Sequence, residues 1–165
     1  MKRIALILSV LVVLNLFCGC TAKKEEFEEP VNFYFGRKEV AYNSPSGVIQ
    51  AELREGASFH NNLTACLRTY MLGPASSDLQ RLIPADVYLV SCQLEEETAT
   101  VVMSSQFSEL SGLELSTACS ALLMTIHDYS GVQTLKISAK DALVNDEDEF
   151  VLSMDDIVVL DTVKG

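Results

Sequence analysis

Two stretches of this chain place apolar residues at helical spacing, and the other apolar runs between Val31 and Lys140 are short and strand-like, so this part of the chain is confined to a mixed α+β architecture. From Asn61 or Asn62, either of which can cap, Leu63, Cys66, Leu67, Tyr70 and Met71 follow the i, i+3, i+4, i+7, i+8 series of one helical face. Gly73-Pro74 stops that helix, because Gly takes the left-handed closing conformation and Pro cannot continue. The second helix is expected from Ser111 to Tyr129, with Leu115, Ala118, Cys119, Leu122 and Ile126 on its stripe and Gly131 past its end. Strand signals fall at Val31 to Phe35, Val48 to Leu53, Val87 to Leu94, Thr98 to Met103 and Val132 to Ser138. The third and fourth, joined by Glu95-Glu96-Glu97, read as a hairpin, and Ser76-Ser77-Asp78 as the opening of a short turn through Leu82. From Val48 onward the order is strand, helix, strand, strand, helix, strand. That is the split βαβ order of ferredoxin-like domains, and it predicts a two-layer βαββαβ body with an extra N-terminal strand and both helices on one face of the sheet.

The chain opens with Lys2-Arg3, an apolar run from Ile4 to Leu14 broken by Ser9, and Leu16-Phe17-Cys18-Gly19-Cys20. A basic start, an apolar segment of about ten residues and a small residue before the cut make a secretory signal, too short for a spanning helix of about 20 residues. The segment resembles a bacterial lipobox, in which Cys20 becomes the first residue of the mature protein and carries a diacylglyceryl thioether. Two or three acyl chains, at about 0.8 kcal/mol per buried methylene, anchor a protein without a transmembrane helix. The alternative is cleavage near Cys18, which yields a soluble secreted protein. Residues 1–19 are therefore read as a lipoprotein signal and 20–30 as the lipidated cysteine and a charged linker closing at Pro30. Residues 31–140 are the domain, and 141–165 an acidic tail whose Phe150 to Leu152 and Ile157 to Leu160 offer an edge strand.

Losing Lys2 and Arg3 leaves 10 basic against 23 acidic residues, a net charge of −13. Such a body does not bind nucleic acid, which demands clustered Lys and Arg, nor dock electrostatically on anionic lipid. Three cysteines remain after Cys18 and Cys20, namely Cys66, Cys92 and Cys119, an odd number compatible with one disulfide plus a thiol or with three buried thiols. The sharpest enzymatic arrangement is Cys66 or Cys119 as nucleophile, His127 or His60 as base and Asp128 as orienter. Both thiols, however, lie on the apolar stripes, where cysteine behaves as a small hydrophobe. Two histidines without a Cys-x-x-Cys pair make no zinc site, and Asn145 to Glu149 lack the spacing and central Gly of a calcium loop. No metal, cofactor or catalysis is expected.

In order and spacing the residues resemble the GerMN domain of spore-forming bacteria. Val31-Asn32-Phe33-Tyr34-Phe35 is similar to its opening strand, Glu52-Leu53-Arg54 to its Glu-x-Arg, and Leu72-Gly73-Pro74 to the Leu-x-Gly-Pro closing its first helix, with Leu72 and Gly73 adjacent here. Leu82-Ile83-Pro84-Ala85-Asp86 resembles its entry to the central hairpin, Val101 to Phe107 its Val-Asp-Leu-Ser-x-x-Phe with Val102 in place of Asp, and Ser130-Gly131-Val132 its Pro-Gly-Val. The tail does not resemble a second copy of the domain. The resemblance implies a non-enzymatic envelope module, with a fold related to ring-building motifs, in lipoproteins that help sporulation or germination complexes assemble. The expectation is a scaffold or assembly factor anchored at the outer face of the cytoplasmic membrane. Its partners would be envelope proteins or copies of itself, met through the exposed sides of the two helices. The rival is a small-ligand-binding lipoprotein, which calls for a deep pocket lined by Tyr34, Tyr88 and polar neighbours.

Overall fold

The computed structural model describes residues 27, 29–40 and 47–157, so the signal, Cys20 and residues 158–165 lie outside the described residues. The elements are β1 (Pro30–Arg37), β2 (Ile49–Glu55), α1 (Leu63–Met71), β3 (Leu79–Gln80), β4 (Leu89–Glu95), β5 (Thr98–Met103), α2 (Gly112–Ser130), β6 (Thr134–Ala139) and β7 (Phe150–Ser153). Short 3-10 turns occupy Ala57–Phe59, Ser105–Glu109 and Met154–Asp156. The helices begin and end as their sequences dictate. Asn62 caps α1 by accepting the Ala65 N–H at 3.0 Å, and Gly131, at φ +78°, closes α2 by donating to the His127 carbonyl at 2.7 Å.

The chain has the expected α+β composition, but its strands divide between two sheets. One has three strands in the order β2-β1-β3 and the other four in the order β4-β5-β6-β7. Within the second, β5 and β6 run parallel, linked by α2, and the outer pairs are antiparallel. Ser76 to Asp78 turn as expected, but Leu79 and Gln80 then pair with Arg37 and Gly36 instead of continuing the turn through Leu82. The tail adds β7 in register with β6, and buries Val144 fully in the core.

The reason for two sheets lies at the second edge of β1. Its odd-numbered residues face β2, as the Arg37 N–H to Val48 carbonyl bond shows, leaving the polar groups of Asn32 and Tyr34 on the other side. No strand takes them. Asp128 Oδ2 accepts the Asn32 N–H at 2.6 Å, Thr125 Oγ1 accepts the Tyr34 N–H at 3.0 Å, and the Tyr70 hydroxyl donates to the Tyr34 carbonyl at 3.1 Å. Helix side chains thus close an edge that would otherwise recruit β-structure.

The core follows the alternation. Phe33 and Phe35 of β1 stack with Phe59 and Tyr70, Tyr129 tilts against Phe59, and Ala99, Val101, Met103, Leu135 and Ile137 present the second sheet's buried face to Leu115, Leu122 and Ile126 of α2. Phe107, in the 3-10 turn after β5, is fully buried in this core.

Candidate functional site

The residues that carried the enzymatic arrangement are scattered. Cys66, Cys92 and Cys119 are all free thiols. Burial pushes the thiols of Cys66 and Cys119 up to about 12, so neither is a thiolate near neutrality. Half-buried Cys92 lies 3.2 Å from the Thr64 hydroxyl. His60 Nδ1 pairs with Glu29 at 2.8 Å, at the surface. His127 donates from Nδ1 to the Val132 carbonyl at 2.8 Å, while Asp128 holds the edge of β1. The two core thiols are buried, Cys92, His60, His127 and Asp128 have the partners just named, and none of these pairs joins thiol to imidazole.

Asn145 to Glu149 form a tight hairpin turn. Asn145 and Asp146 sit at φ 54° and 66°, and Val144 and Glu147 exchange both backbone hydrogen bonds, at 2.8 and 3.1 Å. Two consecutive left-handed residues are the signature of a type I′ turn, for which Asn and Asp are suited.

The Glu-x-Arg and Gly-Pro segments, 19 residues apart at their nearest, meet in one clamp. The Glu52 carboxylate accepts the Ala75 N–H at 3.1 Å and the Ser76 N–H at 2.7 Å and pairs with the Arg54 guanidinium. Arg54 in turn donates to the Gly73 carbonyl at 3.1 Å and lies 5.9 Å from the centre of the Phe33 ring. Burial alone would raise the Glu52 carboxyl, but the Ser76 and Ala75 N–H groups and Arg54 outweigh it and hold Glu52 below the usual carboxylate range. Arg81 completes the corner by donating to the Met71 and Leu72 carbonyls at 2.7 and 2.5 Å, which satisfies the open end of α1. Gly73 sits at φ +85°, and a Cβ there would approach Arg81 Nε to 2.6 Å. The clamp positions the chain between α1 and β3. It is architecture, not chemistry.

Two of the larger openings among the described residues lie beside it. An apolar groove of about 510 Å³ runs between the start of α2 and the chain after β3, lined by Val48, Leu82, Pro84, Leu110, Leu113 and Thr117. Leu113 at its mouth is 82% exposed. A polar cavity of about 380 Å³ lies at the end of β1, lined by Arg37, Lys38, Glu39, Gln50, Ser77 and Asp78. Neither includes Tyr34 or Tyr88. Sequence reading missed the polar cavity, although adjacent Arg37-Lys38 in so acidic a chain was a signal.

No family model matches the sequence, and no curated protein does. Solved structures do. The chain is similar to the tandem GerMN domains of the sporulation protein GerM from Bacillus subtilis, at 19% identity over 75% of this chain and 44% of that one, with a TM-score of 0.53. It is also similar to the first GerMN domain of that protein (13% identity, 77% and 98% covered, TM-score 0.48) and to a candidate lipoprotein from Clostridium perfringens (14%, 78% and 89%, TM-score 0.48). The fold is that of a GerMN domain, and the chain spans less than half of the tandem structure. Among the described residues no helix is long and apolar enough to cross a membrane.

Proposed function

We propose that this chain is a lipid-anchored extracytoplasmic protein, held at the outer face of the cytoplasmic membrane through Cys20, that acts without catalysis as a scaffold or assembly factor for an envelope complex. Its partners are envelope proteins or copies of itself, and the likeness to GerM makes sporulation or germination the first setting to examine. The observation that carries this reading is the use of the reactive side chains. Cys66 and Cys119 are sealed in the core with thiols pushed to about 12, and His127, Asp128 and Glu52 all hold backbone. What the body offers to the outside is surface, including Leu72 and Leu113, which project from the ends of the two helices at 74% and 82% exposure. A tether that confines such a surface to a membrane plane raises its effective concentration toward neighbours on that plane.

The test is crosslinking in cells followed by mass spectrometry, comparing the native protein with Cys20→Ala. Discrete protein partners that are lost from the variant support anchored assembly. Copurification of a small molecule in the absence of any crosslinked protein overturns it in favour of the ligand-binding lipoprotein.

A further inference from the structure

We propose that the polar cavity at the end of β1 binds a small zwitterion, an anionic phosphate and an ammonium a few bonds apart, as in phosphoethanolamine. Three strand ends fix its walls. Arg37 donates its N–H to the Val48 carbonyl at 2.9 Å and receives Gln80 Nε2 at its own carbonyl at 3.1 Å, while the Lys38 N–H donates to the Asp78 carbonyl at 3.1 Å. The cavity is therefore built by pairing among β1, β2 and the turn before β3, and its volume of about 380 Å³ suits a small ligand.

Arg37, Lys38, Glu39 and Asp78 bring four charged side chains to those walls, and the Ser77 hydroxyl donates to Asp78 Oδ1 at 3.5 Å. Arg37 Nε is buried without a hydrogen-bond partner, an arrangement native proteins rarely leave unless something else supplies the acceptor. Arg37 and Lys38 face the same space as Glu39 and Asp78, yet no ion pair within 4.0 Å joins them, whereas Arg54, Lys136 and His60 each have a carboxylate partner. The two cations, Arg37 and Lys38, match a phosphate, since a guanidinium binds its oxygens through parallel N–H donors. The two carboxylates would repel a bare anion and instead receive an ammonium. Opposite charges held apart around one cavity thus select a ligand that carries both signs. This inference is independent of the docking role proposed above.

The phosphoethanolamine group has two sources, a free metabolite and a membrane headgroup. Arg37 lies seven residues along β1 from Pro30, roughly 23 Å from the end that leads to the tether. The experiment is titration of the full mature chain in non-ionic detergent with phosphoethanolamine, inorganic phosphate or ethanolamine, followed by amide shifts of Lys38 and Ser77. The expected result is saturable binding of phosphoethanolamine, about fivefold or more tighter than inorganic phosphate. Arg37→Gln is expected to weaken it about tenfold, and Asp78→Asn to abolish the preference over inorganic phosphate, with an unchanged circular dichroism spectrum certifying the fold. Sedimentation of the Cys20→Ala chain with phosphatidylethanolamine vesicles, compared with phosphatidylcholine vesicles, separates the sources: co-pelleting with the former alone identifies the headgroup, and binding of the free molecule without co-pelleting identifies the metabolite. Equal affinity for phosphate and phosphoethanolamine, or no shift at Lys38 and Ser77 with any probe, overturns the proposal.

Discussion

Replacing Glu52 with Ala removes the hub of the corner clamp, and its cost follows from what the carboxylate holds. Two backbone N–H groups lose a charged acceptor, and Arg54 loses its partner above the Phe33 ring. Hydrogen bonds to charged groups contribute about 1.5–3 kcal/mol each in mutational series, and exposed ion pairs much less. Glu52 and Arg54 side chains are only 13% and 24% exposed, so water replaces the lost partners incompletely. A loss of roughly 3 kcal/mol is expected in urea unfolding of the Cys20→Ala chain, which lowers the melting temperature by roughly 10 °C for a domain of this size. The proton linkage gives a second readout. The folded carboxyl is held below its unfolded value, so its contribution is complete above the ordinary glutamate pKa of about 4.3 and fades as pH falls through the lower folded value. Glu52→Gln should lack that part of the acid limb and converge on the native protein's stability toward the lowest pH. Destabilisation of Glu52→Ala below about 0.5 kcal/mol, the size of an ordinary surface change, would refute the clamp, as would a Gln variant with an unaltered acid limb.

Thr125→Val leaves the Tyr34 N–H without its acceptor at a fully buried position, and a loss of about 1–2 kcal/mol is expected by chemical denaturation, with faster hydrogen exchange at the Tyr34 amide. Burial raises the Cys66 and Cys119 thiols to about 12, so at pH 8 the folded protein should resist alkylation at both while urea-unfolded protein reacts, as peptide mapping would show. Gly73→Ala combines a left-handed backbone with a Cβ 2.6 Å from Arg81 Nε, and a cost above about 1 kcal/mol is expected in thermal unfolding, against near-neutrality for an alanine at exposed Gln93.

Much of the fold was legible because period and punctuation agree. The Leu63 to Met71 stripe, its Asn62 cap and the Gly73-Pro74 stop all mark α1, and Gly131 marks the end of α2. The division into two sheets was not legible. It depends on Thr125 and Asp128 taking backbone groups more than 90 residues away, and neither residue differs in sequence from any polar position on a helix. The two-residue β3 is too short to carry a period, and Leu79 reads equally well as helical. The site was legible only in fragments. Glu52-x-Arg54 and Gly73-Pro74 stood out as motifs, but their union needed the fold, and so did the meeting of Arg37-Lys38 with Ser77-Asp78 across 40 residues of chain.

The sealed edge of β1 also orders events in time. Synthesis runs from the N-terminus, so this strand emerges early and meets β2 almost at once, yet its other margin waits for Thr125 and Asp128 to arrive. Closing so long a loop is slow, and until it closes the N–H groups of Asn32 and Tyr34 lack their acceptors. The same wiring makes the body tighten late, once residues as far along the chain as Asp128 have joined.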